Sequence, residues 1–288
     1  MSHRGLGVAA ALFYIFLWAS AFVPSKVGVV GTSPLWFLVV RFAVSGILAL
    51  AIARALRIPF PRGRRAWAAV VAYGILGNAL YLGCTYEALR HMDSGVGAIV
   101  ASMNPLVLAL VAPWVLREAL TIGKIAGLAL GFGGVVAIMI ARMGTGTADP
   151  IDVGTALFGV VASVASTIVY KRWCGDLDPR AVNAVQLLAA GVVLIVPAIA
   201  IEGAPHVHWS WQLVVSFWYV VLVMSLGATL LWFWLLTHGE ASRVTAYFFL
   251  TPVFGLVISA VLLHEAIGPR DLGGLLAIVA GITLVQRS

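Results

Sequence analysis

The sequence predicts an all-α integral membrane protein with ten transmembrane helices, arranged as two inverted repeats of five helices. Three observations lead to this prediction. Hydrophobic residues make up 62% of the 288 residues and charged residues only 10%, whereas soluble domains carry about 25% charged residues. Ten apolar runs follow one another with short loops between them. The second half of the chain repeats the pattern of the first half.

The composition excludes several classes of protein. A soluble protein of this length could not bury so much apolar side chain. The net charge of +7 could suit a nucleic acid, but the basic residues are spread over short loops, so we expect no nucleic-acid partner. The first apolar run is too long for a signal peptide, and we interpret it as a helix. Cys84 and Cys174 lack the spacing of a metal site and are expected to be unpaired thiols.

Each apolar run is interpreted as a membrane-spanning helix, which needs about 20 residues. The fifth and tenth runs are rich in glycine, which lets membrane helices approach each other closely. The runs are Leu6–Val30, Leu35–Leu56, Ala66–Leu89, Gly95–Leu116, Ile122–Ala141, Val153–Trp173, Ala181–Ile201, Trp211–Thr237, Val244–Leu263 and Leu272–Val285.

The basic residues orient these helices. If the N-terminus lies in the cytoplasm, thirteen of the 18 lysine and arginine residues fall on cytoplasmic segments and four on outer segments. The remaining residue, Arg41, lies within the second run. Because basic residues favour the cytoplasmic side, we expect both termini in the cytoplasm.

An internal repeat divides the chain. A shift of 147 residues aligns Pro105 with Pro252, and a shift of 145 residues aligns the earlier helices. We therefore divide the chain into residues 1–145 and 146–288, which together form one membrane domain. Because five helices are an odd number, the second repeat enters the membrane from the opposite side. Inverted repeats of this kind are common in secondary transporters.

Pro105 and Pro252 lie at the middle of the fourth and ninth runs. A proline has no N–H, so the carbonyl four residues earlier loses its helical partner, and in lipid that carbonyl needs another partner. We expect two kinked helices that face each other across a cavity at the membrane midplane. The freed carbonyls of Ala101 and Phe248 would help to bind a substrate ammonium.

The two repeats end in similar stretches, TYEALRHMDSGVGAIVASMNPLVLALVAPWVLREALTIGKIAGLALGFGGV and FWLLTHGEASRVTAYFFLTPVFGLVISAVLLHEAIGPRDLGGLLAIVAG. With their proline, the glutamate after the helix and the glycine-rich last helix, they resemble the drug/metabolite transporter (DMT) superfamily, specifically its EamA-type ten-helix members. Within these, the chain is similar to YddG-type exporters of aromatic amino acids. Arg117 and His264 stand where the family often has glycine.

This resemblance covers nearly the whole chain and implies the DMT/EamA fold. It also implies export of a small molecule from the cytoplasm across the inner (plasma) membrane of a bacterial-type cell. Transport would proceed by alternating access around a central cavity lined by both repeats. The substrate would be an aromatic or other neutral amino acid, with drugs or other metabolites as the alternative.

The candidate substrate-binding residues are aromatic or weakly polar and lie along the runs, where they would suit an indole or phenyl substrate. Packing and capping roles are the alternative for each of them. The candidates are Tyr14, Trp18, Asn78, Tyr81, Ala101, Ser102, Asn104, Pro105, Ser163, Ser166, Trp232, Tyr247, Phe248, Thr251 and Pro252.

Ionisable residues within a membrane are functional candidates by default. Arg41 could pair with a substrate carboxylate or extend to the membrane surface, and we favour a structural or interfacial role. Lys26 and Lys171 are expected to extend to the surface. Glu118 and Glu265 are expected to cap helices or to form loop ion pairs. No acidic proton relay is evident within the helices, so facilitated export and proton antiport both stay open.

Functions outside transport fit the sequence less well. A membrane enzyme would need clustered acids or histidines, but the 11 acidic residues are scattered. A retinal-type receptor would need a mid-helix lysine, and an ATP-driven pump a phosphate-binding loop, which is missing. We expect no catalytic residue, no metal and no cofactor. The expected partners are the lipid bilayer and the substrate, and the sequence is compatible with a monomer.

Overall fold

The chain folds into a bundle of helices. A computed structural model describes residues 3–91, 99–142, 149–254 and 269–288. Along these residues, ten helical segments are joined by short loops. They are α1 (Leu6–Gly31), α2 (Pro34–Ala55), α3 (Arg64–Ala88), α4 (Ile99–Val115), α5 (Ile122–Arg142), α6 (Pro150–Cys174), α7 (Pro179–Glu202), α8 (Trp211–His238), α9 (241–254) and α10 (Pro269–Arg287).

The predicted fold class is confirmed. Six segments, α1–α3 and α6–α8, are long and apolar enough to cross a membrane, and α4 and α5 are shorter apolar helices. Predicted and observed bounds agree to within three residues wherever the structure describes them. Residues 95–98 of the fourth run and 255–263 of the ninth lie outside the described residues.

Helix packing follows the repeat. α2 lies along α7 and α5 lies along α10, so that equivalent helices pair with each other. α3 packs on α6, and its counterpart α8 packs on α1. Exchange of the two halves therefore reproduces these contacts, as a pseudo-two-fold axis between inverted repeats requires.

Glycine brings the backbones of α5 and α10 into contact. A Cβ atom at Gly127 would lie 2.6 Å from the carbonyl oxygen of Gly281, and one at Gly134 would lie 2.6 Å from that of Gly274. This geometry confirms the close approach predicted from the glycine-rich runs.

Gly134→Ala is expected to lower the melting temperature of the detergent-purified protein. The added methyl group would force α5 and α10 apart, at a cost of about 1–3 kcal/mol. Gly133→Ala is the matched control, because a Cβ atom there meets nothing within 4 Å. Differential scanning fluorimetry compares the two variants, and equal melting temperatures would contradict the close contact.

A glutamate of the second repeat caps a helix of the first. The Glu202 carboxylate, at the end of α7, accepts hydrogen bonds from the N–H groups of Leu35 (2.9 Å) and Trp36 (3.2 Å). Carboxylates are favourable at this position because the first N–H groups of a helix lack intrahelical partners. The contact fixes the start of α2 against α7.

Several helices contain segments of π-helix, which the apolar periodicity does not reveal. Such segments are rare and frequently occur at functional sites. Those in α3 and α8 carry Asn78 and Ser225, which take part in the site described below. The segments are Ile75–Leu80, Tyr170–Cys174, Ala198–Glu202 and Tyr219–Ala228.

Candidate functional site

Five aromatic side chains from both repeats meet inside the bundle, and we call them the aromatic cluster: Tyr14, Trp18, Tyr81, Trp232 and Phe248. Tyr14 stacks on Trp232 and Trp18 with ring centroids 5.1 and 6.2 Å apart, and Trp18 stacks on Tyr81 at 6.3 Å. Phe248 meets Tyr14, Trp18 and Trp232 edge-on at 5.6–6.0 Å. Five of the six predicted aromatic candidates are therefore neighbours.

Local structure explains how these rings converge. Tyr14 and Trp18 are four residues apart on α1 and so share one helix face. Phe248 belongs to the 3₁₀ turn Tyr247–Leu250, which interrupts α9 just before Pro252. Because proline cannot donate a hydrogen bond, the backbone tightens before it. Tyr247, the sixth aromatic candidate, is buried in the same turn.

The rings of the aromatic cluster differ in exposure. Tyr14 and Trp232 are only 5% and 9% exposed. Trp18, Tyr81 and Phe248 are half-buried. The half-buried rings retain apolar surface on which another ring could pack.

The interruption of α4 expected near Pro105 takes the form of a break, because the helix does not bend continuously there. The helix stops at residues 102–103 and restarts at Asn104, so that Pro105 lies in the first turn of the second piece. At that position the missing N–H of proline costs nothing. Asn104 is 8% exposed, and its side-chain amide donates a hydrogen bond to the Ser163 hydroxyl at 2.9 Å.

The expected free carbonyl at Phe248 is also contradicted. This carbonyl accepts a hydrogen bond from the N–H of Thr251, because the 3₁₀ turn replaces the lost helical bond. The Thr251 hydroxyl, in contrast, is buried and has no hydrogen-bond partner among the described residues. A buried hydroxyl without a partner beside Pro252 is a candidate group for binding a polar ligand. That the Ala101 carbonyl helps to bind a substrate ammonium stays a prediction.

The remaining serine candidates are buried. Ser102 and Ser166 are 3% and 4% exposed. The Ser166 hydroxyl donates to the Ser163 carbonyl at 2.7 Å and packs against Gly77 of α3. These positions fit helix packing, and a part in substrate binding stays a prediction for each.

A row of amide side chains, half-buried at Asn78 and buried at Gln186 and Asn183, joins three helices. Asn78 of α3 donates to the side-chain carbonyl of Gln186, whose amide donates to Asn183 at 2.8 Å. Asn183 in turn donates to the backbone carbonyl of Ser225 at 2.9 Å. Only Asn78 was predicted. The available signal was that Asn183 and Gln186 lie three residues apart, on one face of an apolar run.

Arg41 meets this row at Ser225. Its Nε donates to the Ser225 hydroxyl at 3.1 Å, its guanidinium lies 5.4 Å from the centroid of the Phe42 ring, and its side chain is 7% exposed. Of the roles considered for Arg41, extension to the membrane surface is excluded, because a hydroxyl acceptor holds it inside the bundle, whereas this contact fits the structural role.

A charged group joins the two repeats at the end of the bundle predicted to be cytoplasmic. The Glu118 carboxylate accepts hydrogen bonds from the N–H groups of Ala241 (2.7 Å) and Ser242 (3.0 Å), and from the Ser242 hydroxyl (2.6 Å). Lys171 lies 3.3 Å from Glu118 and donates to the Gly239 carbonyl at 2.6 Å. We name Glu118, Lys171 and Ser242 the inner latch.

The inner latch confirms that Glu118 caps a helix and forms an ion pair. For Lys171, the prediction that its side chain extends to the membrane surface is wrong, because Glu118 and Gly239 offer it closer partners. Next to the latch, the nearly buried Lys124 pairs with Glu240 at 2.8 Å. Glu265 and the side chain of Lys26 lie outside the described residues.

Opposing effects set the pKa of Glu118. Burial raises it, but the hydrogen bonds from Ser242 and Ala241 and the Lys171 ammonium together hold the pKa below its ordinary value of 4.5. The carboxylate is therefore charged at neutral pH. A carboxylate with a lowered pKa stabilises the folded contact above the ordinary pKa, and this stabilisation is lost as the pH falls through the lowered value.

Comparisons with known proteins agree with this architecture. The sequence model of the EamA-like transporter family matches residues 5–140 and again residues 152–287. The "Uncharacterized transporter YvbV" of Bacillus subtilis is 30% identical over 275 residues, which covers 95% of this chain and 89% of that protein.

Two relatives carry names that state a substrate. The "Probable amino-acid metabolite efflux pump" of Salmonella typhimurium is 24% identical and covers 94% of this chain and 92% of its own length. The "S-adenosylmethionine/S-adenosylhomocysteine transporter" of Chlamydia muridarum is 24% identical, with 96% and 91% covered. One solved crystal structure of a protein superposes with a TM-score of 0.79 at 19% identity, covering 97% of this chain and 96% of that one. That likeness concerns the fold alone.

Proposed function

Since the chain belongs to the EamA-like transporter family, we propose that it is a secondary transporter that exports small amphiphilic metabolites, namely aromatic or other neutral amino acids. The observation that carries the proposal is the aromatic cluster. Its rings come from α1 and α3 of the first repeat and from α8 and α9 of the second, beside the break in α9. Substrate sites of transporters with inverted repeats lie at such interrupted helices.

The chemistry of the aromatic cluster suits a flat apolar ring. Aromatic pairs prefer stacked or edge-on contacts with centroids about 4.5–7 Å apart, and the cluster offers both arrangements. An indole or phenyl ring would insert beside the half-buried Trp18, Tyr81 and Phe248. The Thr251 hydroxyl and the Asn78 amide lie on the same helices as Phe248 and Tyr81, and would supply hydrogen bonds to the polar end of the substrate.

Alternating access gives the inner latch a role in this proposal. The latch holds Glu118, on the loop after α4 of the first repeat, against the start of α9 in the second repeat. Substrate entering from the cytoplasm would have to pass this contact, so the latch would open in the inward-facing conformation. We place both termini in the cytoplasm and the protein in the inner membrane, on the basis of the basic residues in the loops.

A second candidate function is the export of another amphiphilic metabolite or a drug. The relative named for S-adenosylmethionine favours this alternative, since an adenine ring also stacks on aromatic side chains. The substrates of the two candidates differ in the ring and in the groups attached to it, so a panel of substrates separates them.

Uptake by liposomes that contain the purified protein tests the proposal. Labelled tryptophan, phenylalanine, leucine, threonine and S-adenosylmethionine are compared, each with and without an imposed pH gradient. We expect the fastest uptake for tryptophan and phenylalanine, because their rings fit the aromatic cluster. A rate that follows the pH gradient would indicate proton coupling. Uptake of S-adenosylmethionine alone would contradict the amino-acid proposal and favour the second candidate.

A further inference from the structure

Arg41 is a buried cation without an anionic partner among the residues that the structure describes. Its side chain is 7% exposed and lies within the apolar helix α2. None of the described ion pairs includes it, and its Nε donates a hydrogen bond to the Ser225 hydroxyl. A guanidinium has five N–H donors, so most of its hydrogen-bonding capacity remains for a ligand.

An unpaired charge at this depth is strongly unfavourable. Arginine within a membrane segment is rare and usually pairs with another group or serves a substrate pathway. The hydrogen bond to Ser225 holds Arg41 inside the bundle, so its charge does not reach the polar headgroups. An anion that enters the bundle would offset the desolvation of this cation.

Tyr86 of α3 supplies a second donor with unused hydrogen-bonding capacity beside Arg41. Its side chain is 3% exposed, and its hydroxyl donates no hydrogen bond to the residues that the structure describes. The hydroxyl oxygen interacts with the Arg41 guanidinium through charge and a side-chain hydrogen bond, so the hydroxyl proton remains to be donated. A carboxylate accepts hydrogen bonds from both kinds of donor, so one anion would satisfy both residues.

We propose that Arg41 and Tyr86 bind the carboxylate of the transported substrate. This inference rests on the proposed function, because it names the charged end of a substrate whose ring contacts the aromatic cluster. The row of amide side chains connects this site with the aromatic cluster, because it runs from Asn78, three residues before Tyr81 on α3, to Ser225, the partner of Arg41.

Competition with labelled tryptophan in proteoliposomes tests the carboxylate site. Indole-3-propionate keeps the ring and the carboxylate, whereas indole-3-propionamide keeps the same ring and chain with a neutral amide in place of the carboxylate. For the wild type we expect indole-3-propionate to compete about tenfold better or more, because a charge-assisted hydrogen bond is lost in the amide. Arg41→Gln should abolish this preference, and Arg41→Lys should retain part of it. Tyr86→Phe, which removes one hydroxyl, gives a second variant should Arg41→Gln fail to fold.

Thermal stability gives a readout that does not depend on transport. Indole-3-propionate should raise the melting temperature of the wild type but not that of Arg41→Gln. If chloride stabilises the wild type as much as acetate does and indole-3-propionate adds nothing, the residues hold a free anion and the proposal is wrong.

The two proposals fail in different ways. If the wild type transports tryptophan and Arg41→Gln keeps the preference for indole-3-propionate, the carboxylate site is wrong and the proposed function stands. If no amino acid is transported while indole-3-propionate still stabilises the protein through Arg41, the proposed function is wrong and the carboxylate site stands.

Discussion

Replacing Trp18 with leucine is expected to lower tryptophan transport about tenfold, chiefly through a higher KM, because an aromatic pair contributes about 0.5–1.5 kcal/mol beyond its buried area. Trp18 is one of the rings that join the two repeats. It stacks on Tyr14 and Tyr81 at 6.2 and 6.3 Å, and Phe248 meets it edge-on at 5.6 Å. Leucine keeps part of the apolar volume but removes the flat face on which a substrate ring would stack.

Trp114→Leu is the matched control for this variant. Trp114 lies on α4 and is 80% exposed, as expected for an aromatic residue at the membrane surface. Initial rates of labelled tryptophan uptake, measured over a range of concentrations and corrected for the amount of protein, give KM for all three proteins. Equal KM values would show that the aromatic cluster does not bind the substrate.

Removal of the Glu118 carboxylate is expected to open the end of the bundle that the inner latch closes. Glu118→Ala deletes three hydrogen bonds to Ala241 and Ser242 as well as the ion pair with Lys171. One hydrogen bond to a charged group contributes about 1.5–3 kcal/mol, so the loss should shift the conformational equilibrium by about tenfold or more. The latched conformation would lose population to the open one.

A native thiol reports this opening. Cys174 lies three residues after Lys171 and is fully buried, and with only two cysteines in the chain, Cys84→Ser leaves it as the single target. We expect a membrane-permeable maleimide to label Cys174 faster in Glu118→Ala than in the parent protein.

Asp178→Asn is the control at the same end of the bundle. Asp178 also caps a helix, but its partners, the N–H and guanidinium of Arg180 at 3.0 and 2.7 Å, belong to its own repeat. Its removal should therefore leave the labelling rate unchanged. Labelling of Glu118→Ala at the parental rate would mean that the latch does not hold the bundle closed.

Those parts of the molecule that depend on patterns along the chain could be predicted from the sequence. The apolar runs predict the ends of the helices to within three residues, because a segment that crosses the lipid core must satisfy its own backbone hydrogen bonds and a helix does so. The repeat predicts a pseudo-two-fold axis between the two halves, and the pairing of α2 with α7 and of α5 with α10 is consistent with that axis. The sequence also indicates part of the aromatic cluster, since Tyr14 and Trp18 share one face of α1 and Phe248 lies four residues before Pro252.

Features that depend on which faces of the helices meet were not predictable. The presence of Pro105 in the sequence shows that one backbone N–H is missing from α4. Whether the helix bends or breaks there depends on neighbours such as Ser163, which accepts a hydrogen bond from Asn104. The sequence predicts that Lys171 extends to the membrane surface, because nothing in the sequence shows that Glu118 lies beside it in the folded protein. The row from Asn78 to Ser225 likewise arises from contacts among three helices and from the local π-helical geometry.

Counterflow measures the central claim most directly, namely that this chain exchanges aromatic amino acids across a membrane through the aromatic cluster. Proteoliposomes are loaded with unlabelled amino acid and diluted into a trace of labelled tryptophan. We predict that internal tryptophan or phenylalanine drives transient accumulation of the label, that internal glycine does not, and that Trp18→Leu abolishes the effect while Trp114→Leu preserves it. No accumulation with any internal amino acid, or equal accumulation in the two variants, would contradict the claim.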